Sequence, residues 1–251
     1  MNFSQNKPLS ISVNNLSLKY HHHPLFDQFN FHLPGGSWTC LLGVSGVGKS
    51  TLLKLIAGLP TGVDHAIDSS VIVTSDGRPL AGRIAYMAQQ DLLMPWLNVL
   101  ENCLIGHRLR GQAVSKEEKN HALDLLRQVG LEKAASLKTS QLSGGMRQRV
   151  ALVRTLLEER PVVLMDEPFS ALDAITRLKL QDLAADLLIG KTVLLVTHDP
   201  LEALRLGDRV CILRGAPAEL SEILVMESPR PRSPEDVNLL KRQAELLAQW
   251  R

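Results

Sequence analysis

Nine consecutive residues, GVSGVGKST from Gly43 to Thr51, restrict the folds open to this chain more than any other stretch. They follow an unbroken apolar run, SWTCLLG, and lead into the amphipathic run GKSTLLKLIAGL. Strand, glycine-rich loop and helix is the order that a G-x-x-x-x-G-K-[ST] phosphate loop requires. Glycines let the backbone wrap an anion so that N–H groups converge on its oxygens. Lys49 supplies a point charge for the outer phosphates, and Ser50 offers a hydroxyl to Mg²⁺. The plain alternative is a glycine-rich turn with an exposed lysine, and the flanking strand and helix argue against it.

A second acidic site follows in PVVLMDEPFSALD. Four apolar residues end in Asp166 and Glu167, so a buried parallel strand delivers both carboxylates to the edge where ligands bind in open α/β sheets. Asp166 there is a candidate Mg²⁺ ligand. Side chains alternate along a strand, so Glu167 points elsewhere, as a base that deprotonates or orients water. LLVTHDP ends another apolar strand with His198 at its tip, placed to hydrogen-bond a terminal phosphate. Between these sites, QLSGGMRQRVAL sets small residues in a turn before a helical pattern bearing two arginines. A helix start of that kind favours anions, although no Gly-Lys-Ser accompanies it.

Order along the chain completes the fold class. Residues 11 to 33 alternate irregularly between apolar and polar, as two strands of an antiparallel sheet. SSVIVTSDGRPL is expected to form a strand pair with Asp76-Gly77 at the turn. From Asp91 to Glu159, WLNVLENCLIG, KEEKNHALDLLRQVGL and MRQRVALVRTLLEE carry apolar positions at helical spacing without a convincing strand. Beyond that, strands and helices alternate, which implies a parallel sheet with crossover helices. The expectation is one α/β domain over residues 1–251. Within it, a helical subdomain is inserted at 91–156, and 216–251 form a short C-terminal extension of Pro/Ser-rich linker and charged helix.

Composition excludes several functions. With 251 residues and 45% apolar side chains, the chain can build a substantial core. A net charge of +2 does not fit a dedicated nucleic-acid binder. Cys40, Cys103 and Cys211 lack paired spacing and read as buried free thiols in a reducing compartment. The N-terminal residues lack a signal-peptide pattern, and no apolar run approaches the ~18 residues of a membrane span. His21, His22 and His23 fit a strand-connecting loop better than a metal site.

Taken in order and spacing, residues 10 to 215 resemble the nucleotide-binding subunit of ATP-binding cassette (ABC) transporters, a P-loop NTPase. GVSGVGKST resembles the Walker A loop, VVLMDE the Walker B strand, LSGGM the signature loop and SALD the D-loop. His198 matches the switch histidine, and Gln89 the glutamine that meets metal and attacking water. The resemblance implies ATP and Mg²⁺ as cofactors. Gly43, Val44, Ser45, Gly46, Val47, Gly48, Lys49, Ser50 and Thr51 would hold nucleotide, Tyr20 would stack on adenine, and Ser50, Gln89 and Asp166 would hold the metal. Lys49, Gln89, Glu167 and His198 would carry catalysis. Ser143, Gly144 and Gly145 would close over ATP held by a second copy, with Asp173 at the same head-to-tail homodimer interface.

The resemblance further implies transmembrane permease subunits as partners and, indirectly, a solute-binding protein, with the chain peripheral on the inner face of the cell membrane. QQDLLMPWLNVLENC would form the groove for a permease helix, and Pro95-Trp96 resembles the nitrate, sulfonate, taurine and pyrimidine-precursor importers. Ala88 and Ser170 depart from the aromatic and glycine frequent at those positions. A soluble ABC ATPase acting on nucleic acid or the ribosome usually has two cassettes or a long coiled coil. Intact Lys49, Asp166, Glu167 and His198 oppose a non-hydrolysing regulatory cassette, and a small-molecule kinase has no use for LSGGM.

Overall fold

The computed structural model describes residues 8–20, 23–62 and 71–248. The chain divides into two compact units, one of Met1–Ile84, Arg160–Asp166 and Ile189–Arg251, the other of Ala85–Glu159 and Glu167–Leu188. In chain order the first unit begins with β1 (Ile11–Tyr20), β2 (His23–Leu33), β3 (Trp38–Gly43), α1 (Lys49–Ile56) and β4 (Ile72–Thr74). Within β5 (Ile84–Met87) the chain passes into the second unit, which holds α2 (Val99–Cys103), α3 (Ile105–Leu109), α4 (Lys116–Gln128) and α5 (Gly144–Leu156). It returns for β6 (Val162–Asp166), adds α6 (Ala174–Leu187) to the second unit, and finishes in the first. The closing elements are β7 (Thr192–Val196), α7 (Pro200–Leu206), β8 (Arg209–Arg214), β9 (Glu219–Val225) and α8 (Val237–Ala248).

In the first unit, β1 and β2 pair antiparallel and bury one face, Ile11, Val13, Leu16 and Leu18 against Leu33, Phe31, Phe29 and Phe26. The buried set shifts by one residue between Val13 and Leu16 and again between Phe26 and Phe29. Asn15 (φ 50°) and Gln28 (φ 48°) lie in these gaps, and the strand register shifts there. Such bulges keep one face apolar while breaking strict alternation, which is why the sequence pattern is irregular. β4 lies on the other side of β1.

The expected pair around Asp76-Gly77 is not formed. Gly77 (φ 68°) does turn the chain, but Pro79 cannot donate to a ladder, and Asp76 organises a loop instead. Its carboxylate accepts from Thr74 Oγ1 and the Arg78 N–H and pairs with Arg83 at 2.6 Å.

The larger sheet of this unit runs β6-β7-β3-β8-β9, parallel through β8. All residues of β3, β6 and β7 are buried, as apolar runs covered on both faces must be. β9 was not anticipated. It pairs antiparallel with β8, so residues 216–251 supply an edge strand as well as α8, which packs on α7. Arg232, 4% exposed, donates to the carbonyls of Leu204 (2.9 Å) and Gly207 (2.8 Å) at the end of α7.

In the second unit the named elements from Asp91 to Glu159 are helices and short 3-10 turns. WLNVLENCLIG is divided at Leu104 between α2 and α3. Capping boxes start α2 (Asn98 with Glu101) and α4 (Ser115 with Glu118), each satisfying two helix-end N–H groups. The fully buried Asn102 donates to the carbonyls of Met94, Leu97 and Asn98 and accepts from the Met94 N–H. It thereby fixes the loop carrying Pro95 and Trp96, whose indole is 68% exposed.

Candidate active site

Within the first unit, three strands end together. Gly43 closes β3, Asp166 closes β6 level with Val196 of β7, and His198 lies two residues past Val196. A Cβ at Gly43 would stand 2.7 Å from the Leu213 carbonyl oxygen, so only glycine permits this approach. Gly46 (φ 82°) and Gly48 (φ 108°) are left-handed, a conformation with no steric cost for glycine. Gly48 caps α1 without a side chain, leaving the first N–H groups of the helix for an anion. Val44, Ser45 and Gly46 are exposed at the loop's crest, whereas Val47 is buried and Ser50 and Thr51 are partly so. Lys49, 7% exposed, donates to the carbonyls of Gly43 (2.8 Å) and Val44 (3.0 Å), which keeps its ammonium inside the loop.

Asp166 is 3% exposed, and His198 is exposed at the sheet edge. Asp199 then accepts from the N–H groups of Leu201 and Glu202 and starts α7. Tyr20 ends β1 opposite His23 and is 51% exposed. His21 and His22 lie outside the described residues, among which no group of three or more His, Cys, Asp or Glu is arranged to hold a metal.

Within the second unit, Glu167 has φ 49° and is partly buried. That left-handed backbone costs a non-glycine residue ~1–2 kcal/mol and persists only where its surroundings hold it. Gln89 Nε2 lies 3.5 Å from Glu167 Oε2, so these two predicted site residues meet. Ser143 caps α5 by accepting from the Met146 N–H at 3.3 Å. Gly144 and Gly145 form the first residues of that helix. A Cβ on Gly145 would lie 3.2 Å from the Ala171 carbonyl oxygen, whereas one on Gly144 would meet only the tip of Arg147 at 3.9 Å. Asp173 caps α6, and the Thr176 N–H it accepts holds its carboxyl below the usual range.

The two arginines after the signature loop turn inward. Arg147 pairs with Asp91 (2.9 Å) and Arg149 donates to the Val129 carbonyl (2.8 Å). Sequence reasoning missed Gln148, which is 6% exposed and bonded to the segment after Glu167. Nothing in MRQR distinguishes it from a surface residue except its helical offset toward the core. A groove of about 410 Å³ is lined by Ala88, Gln89, Asp91, Leu92 and Arg147, among others.

The loop, the acidic strand end and the exposed histidine define a nucleotide-hydrolysing P-loop architecture. The ABC transporter family model matches residues 26–170, and the chain belongs to that family as its ATP-binding, ATPase component. It is 43% identical over 241 residues, 94% of this chain and 97% of the relative, to an uncharacterised ABC transporter ATP-binding protein of Haemophilus influenzae. It is 38% identical to the aliphatic sulfonates import ATP-binding protein SsuB of Delftia acidovorans, covering 95% and 92% of the two chains. Among solved structures, the cassette MJ0796 in a dimeric post-hydrolysis state bound to ADP and Pi superposes with a TM-score of 0.72. That match is at 31% identity and covers 87% of this chain and all of the other.

Proposed function

We propose that this chain hydrolyses ATP for a solute importer, working as a head-to-tail pair of copies beside separate membrane subunits. The observation that carries this reading is the Asp166-Glu167 strand end, where a buried carboxylate is followed by one held in left-handed backbone beside Gln89. Lys49 and the N–H groups of residues 46–51 hold the β- and γ-phosphates, and Tyr20 stacks on adenine. Ser50, Asp166 and Gln89 present the oxygen donors that a hard divalent cation takes, and Asp166 stands at the sheet edge where the phosphate loop opens. When bound there, Mg²⁺ neutralises phosphate charge.

Glu167 takes the proton of the attacking water, Gln89 orients that water, and His198 hydrogen-bonds the γ-phosphate. The helix start at Ser143, Gly144 and Gly145 serves the γ-phosphate of the second copy, with Asp173 at the same interface. Each site is then complete only when two copies close, so hydrolysis waits on closure.

Import, with aliphatic sulfonates as the solute class, is supported by the names of the SsuB relatives. Among the described residues no helix is long and apolar enough to cross a membrane, which suits a subunit that docks on a permease at the inner face. The Gln89 groove and the exposed Trp96 support that docking. Selection among solutes lies with the permease and an external solute-binding protein.

Glu167→Gln tests the central assignment. It is expected to keep nucleotide affinity, cut turnover by at least ~100-fold, and accumulate an ATP-bound dimer on size exclusion. Normal turnover would remove Glu167 from the role of base.

A further inference from the structure

Gln148 lies on α5, one turn beyond the helix start assigned to the second copy. Its side-chain amide is engaged with three residues of its own chain's catalytic segment. Nε2 donates to the Glu167 carbonyl at 3.0 Å and to Ser170 Oγ at 3.3 Å, while Oε1 accepts from the Ala171 N–H at 2.9 Å. Ser170 donates to the same Glu167 carbonyl through Oγ at 3.0 Å and through its N–H at 3.3 Å, so three donors converge on that oxygen, and Gln148 is the one that comes from outside the segment. The peptide so gripped belongs to the residue at φ 49°.

The same helix holds the other partner of the Glu167 contact. Two residues past Gln89, Asp91 accepts from Arg147 Nε through its carboxylate at 2.9 Å and from Arg154 through its carbonyl at 2.6 Å. Both ends of the 3.5 Å contact between Gln89 and Glu167 are therefore tethered to α5.

We infer that Gln148 is a positioning residue for hydrolysis: its amide locks the Glu167 peptide and so aims the Glu167 carboxylate, from a helix whose first residues serve the neighbouring copy. This rests on Glu167 being the base. A buried amide that merely fills space would cost stability when changed and leave no signature in the chemistry. A gripped peptide differs, because a small misplacement of a base lowers the rate without altering ATP binding.

Two variants of the full chain, assayed with its ATPase activity and with a fluorescent ATP analogue for affinity, decide the matter. Gln148→Met keeps the length and loses every hydrogen bond. Its kcat should fall ~10-fold or more, with KM for ATP and analogue affinity within about twofold of the parent. Gln148→Glu can still accept from Ala171, but donates to the Glu167 carbonyl only when protonated. Its activity relative to the parent should rise as pH falls from about 8 to about 6, since burial raises a carboxyl's pKa. The Met variant's ratio should stay flat over that range.

A Met variant with kcat within twofold of the parent overturns the inference, as does a Glu variant whose ratio ignores pH. Should the Met variant fail to fold, the Glu variant's ratio decides alone. If Glu167→Gln remains active, the base assignment falls. If Glu167→Gln is dead while both Gln148 variants behave as the parent, only the present inference falls.

Discussion

At Glu167 the carboxylate at a strand end was legible in the sequence and its backbone was not. A carboxylate pair closing an apolar strand announces itself in VVLMDE, but φ 49° depends on what surrounds the peptide, and Gln148 comes from nineteen positions earlier. Local pattern carries no trace of such a partner. The cysteines show the opposite case, where spacing alone implied free buried thiols and all three are so. Burial pushes Cys103 up to about 12 and Cys211 to about 11 from an ordinary value of 9.0, and raises Cys40 well above it, with the nearby Glu202 carboxylate adding to that rise. The folded state thus favours the protonated thiols. Their stabilising contribution is present below pH 9, and shrinks as pH rises from 9 toward 11 to 12 while the unfolded chain ionises first. Urea midpoints measured from about pH 8 to about pH 10.5 should fall, and Cys103→Ala should flatten that decline. A decline unchanged by the substitution would place its origin elsewhere.

Among elements, legibility followed the strength of the repeat. The helical spacing of KEEKNHALDLLRQ and the apolar runs of β3, β6 and β7 left little choice. β1 and β2 were recognisable despite their bulges because the apolar set resumes on the same face after each one. β9 went unrecognised because an edge strand carries polar residues such as Glu219, Ser221 and Glu222 and needs no apolar run when β8 supplies its ladder. The tail's other contribution, Arg232, reaches the end of α7 from a Pro/Ser-rich stretch that looked like linker. Its fork satisfies carbonyls that helix ends leave open. Arg232→Met should therefore lower unfolding free energy by roughly 2–3 kcal/mol, and Arg232→Lys should recover only part, because an ammonium lacks the planar fork. Chemical denaturation of the three proteins side by side would reveal an Arg232 that contributes nothing.

For the whole molecule, the proposal that two copies share each hydrolytic centre has a direct consequence in mixtures. Lys49→Ala and Ser143→Arg chains, each inactive alone, should regain activity when combined, since a mixed pair contains one intact composite centre. A mixture that demonstrably pairs yet stays inactive would contradict the head-to-tail arrangement. The two signature glycines sharpen that experiment. Gly145 is pinned against the Ala171 carbonyl of its own chain, so enlarging it disturbs the fold from within, whereas a Cβ on Gly144 meets only the flexible tip of Arg147, at 3.9 Å. A bulky side chain at Gly144 would leave a solitary copy intact, its first helical turn even favoured by leaving glycine behind. If the signature loop meets a second copy as proposed, such a chain should fold yet fail to pair, separating self-recognition from the folding of a single copy.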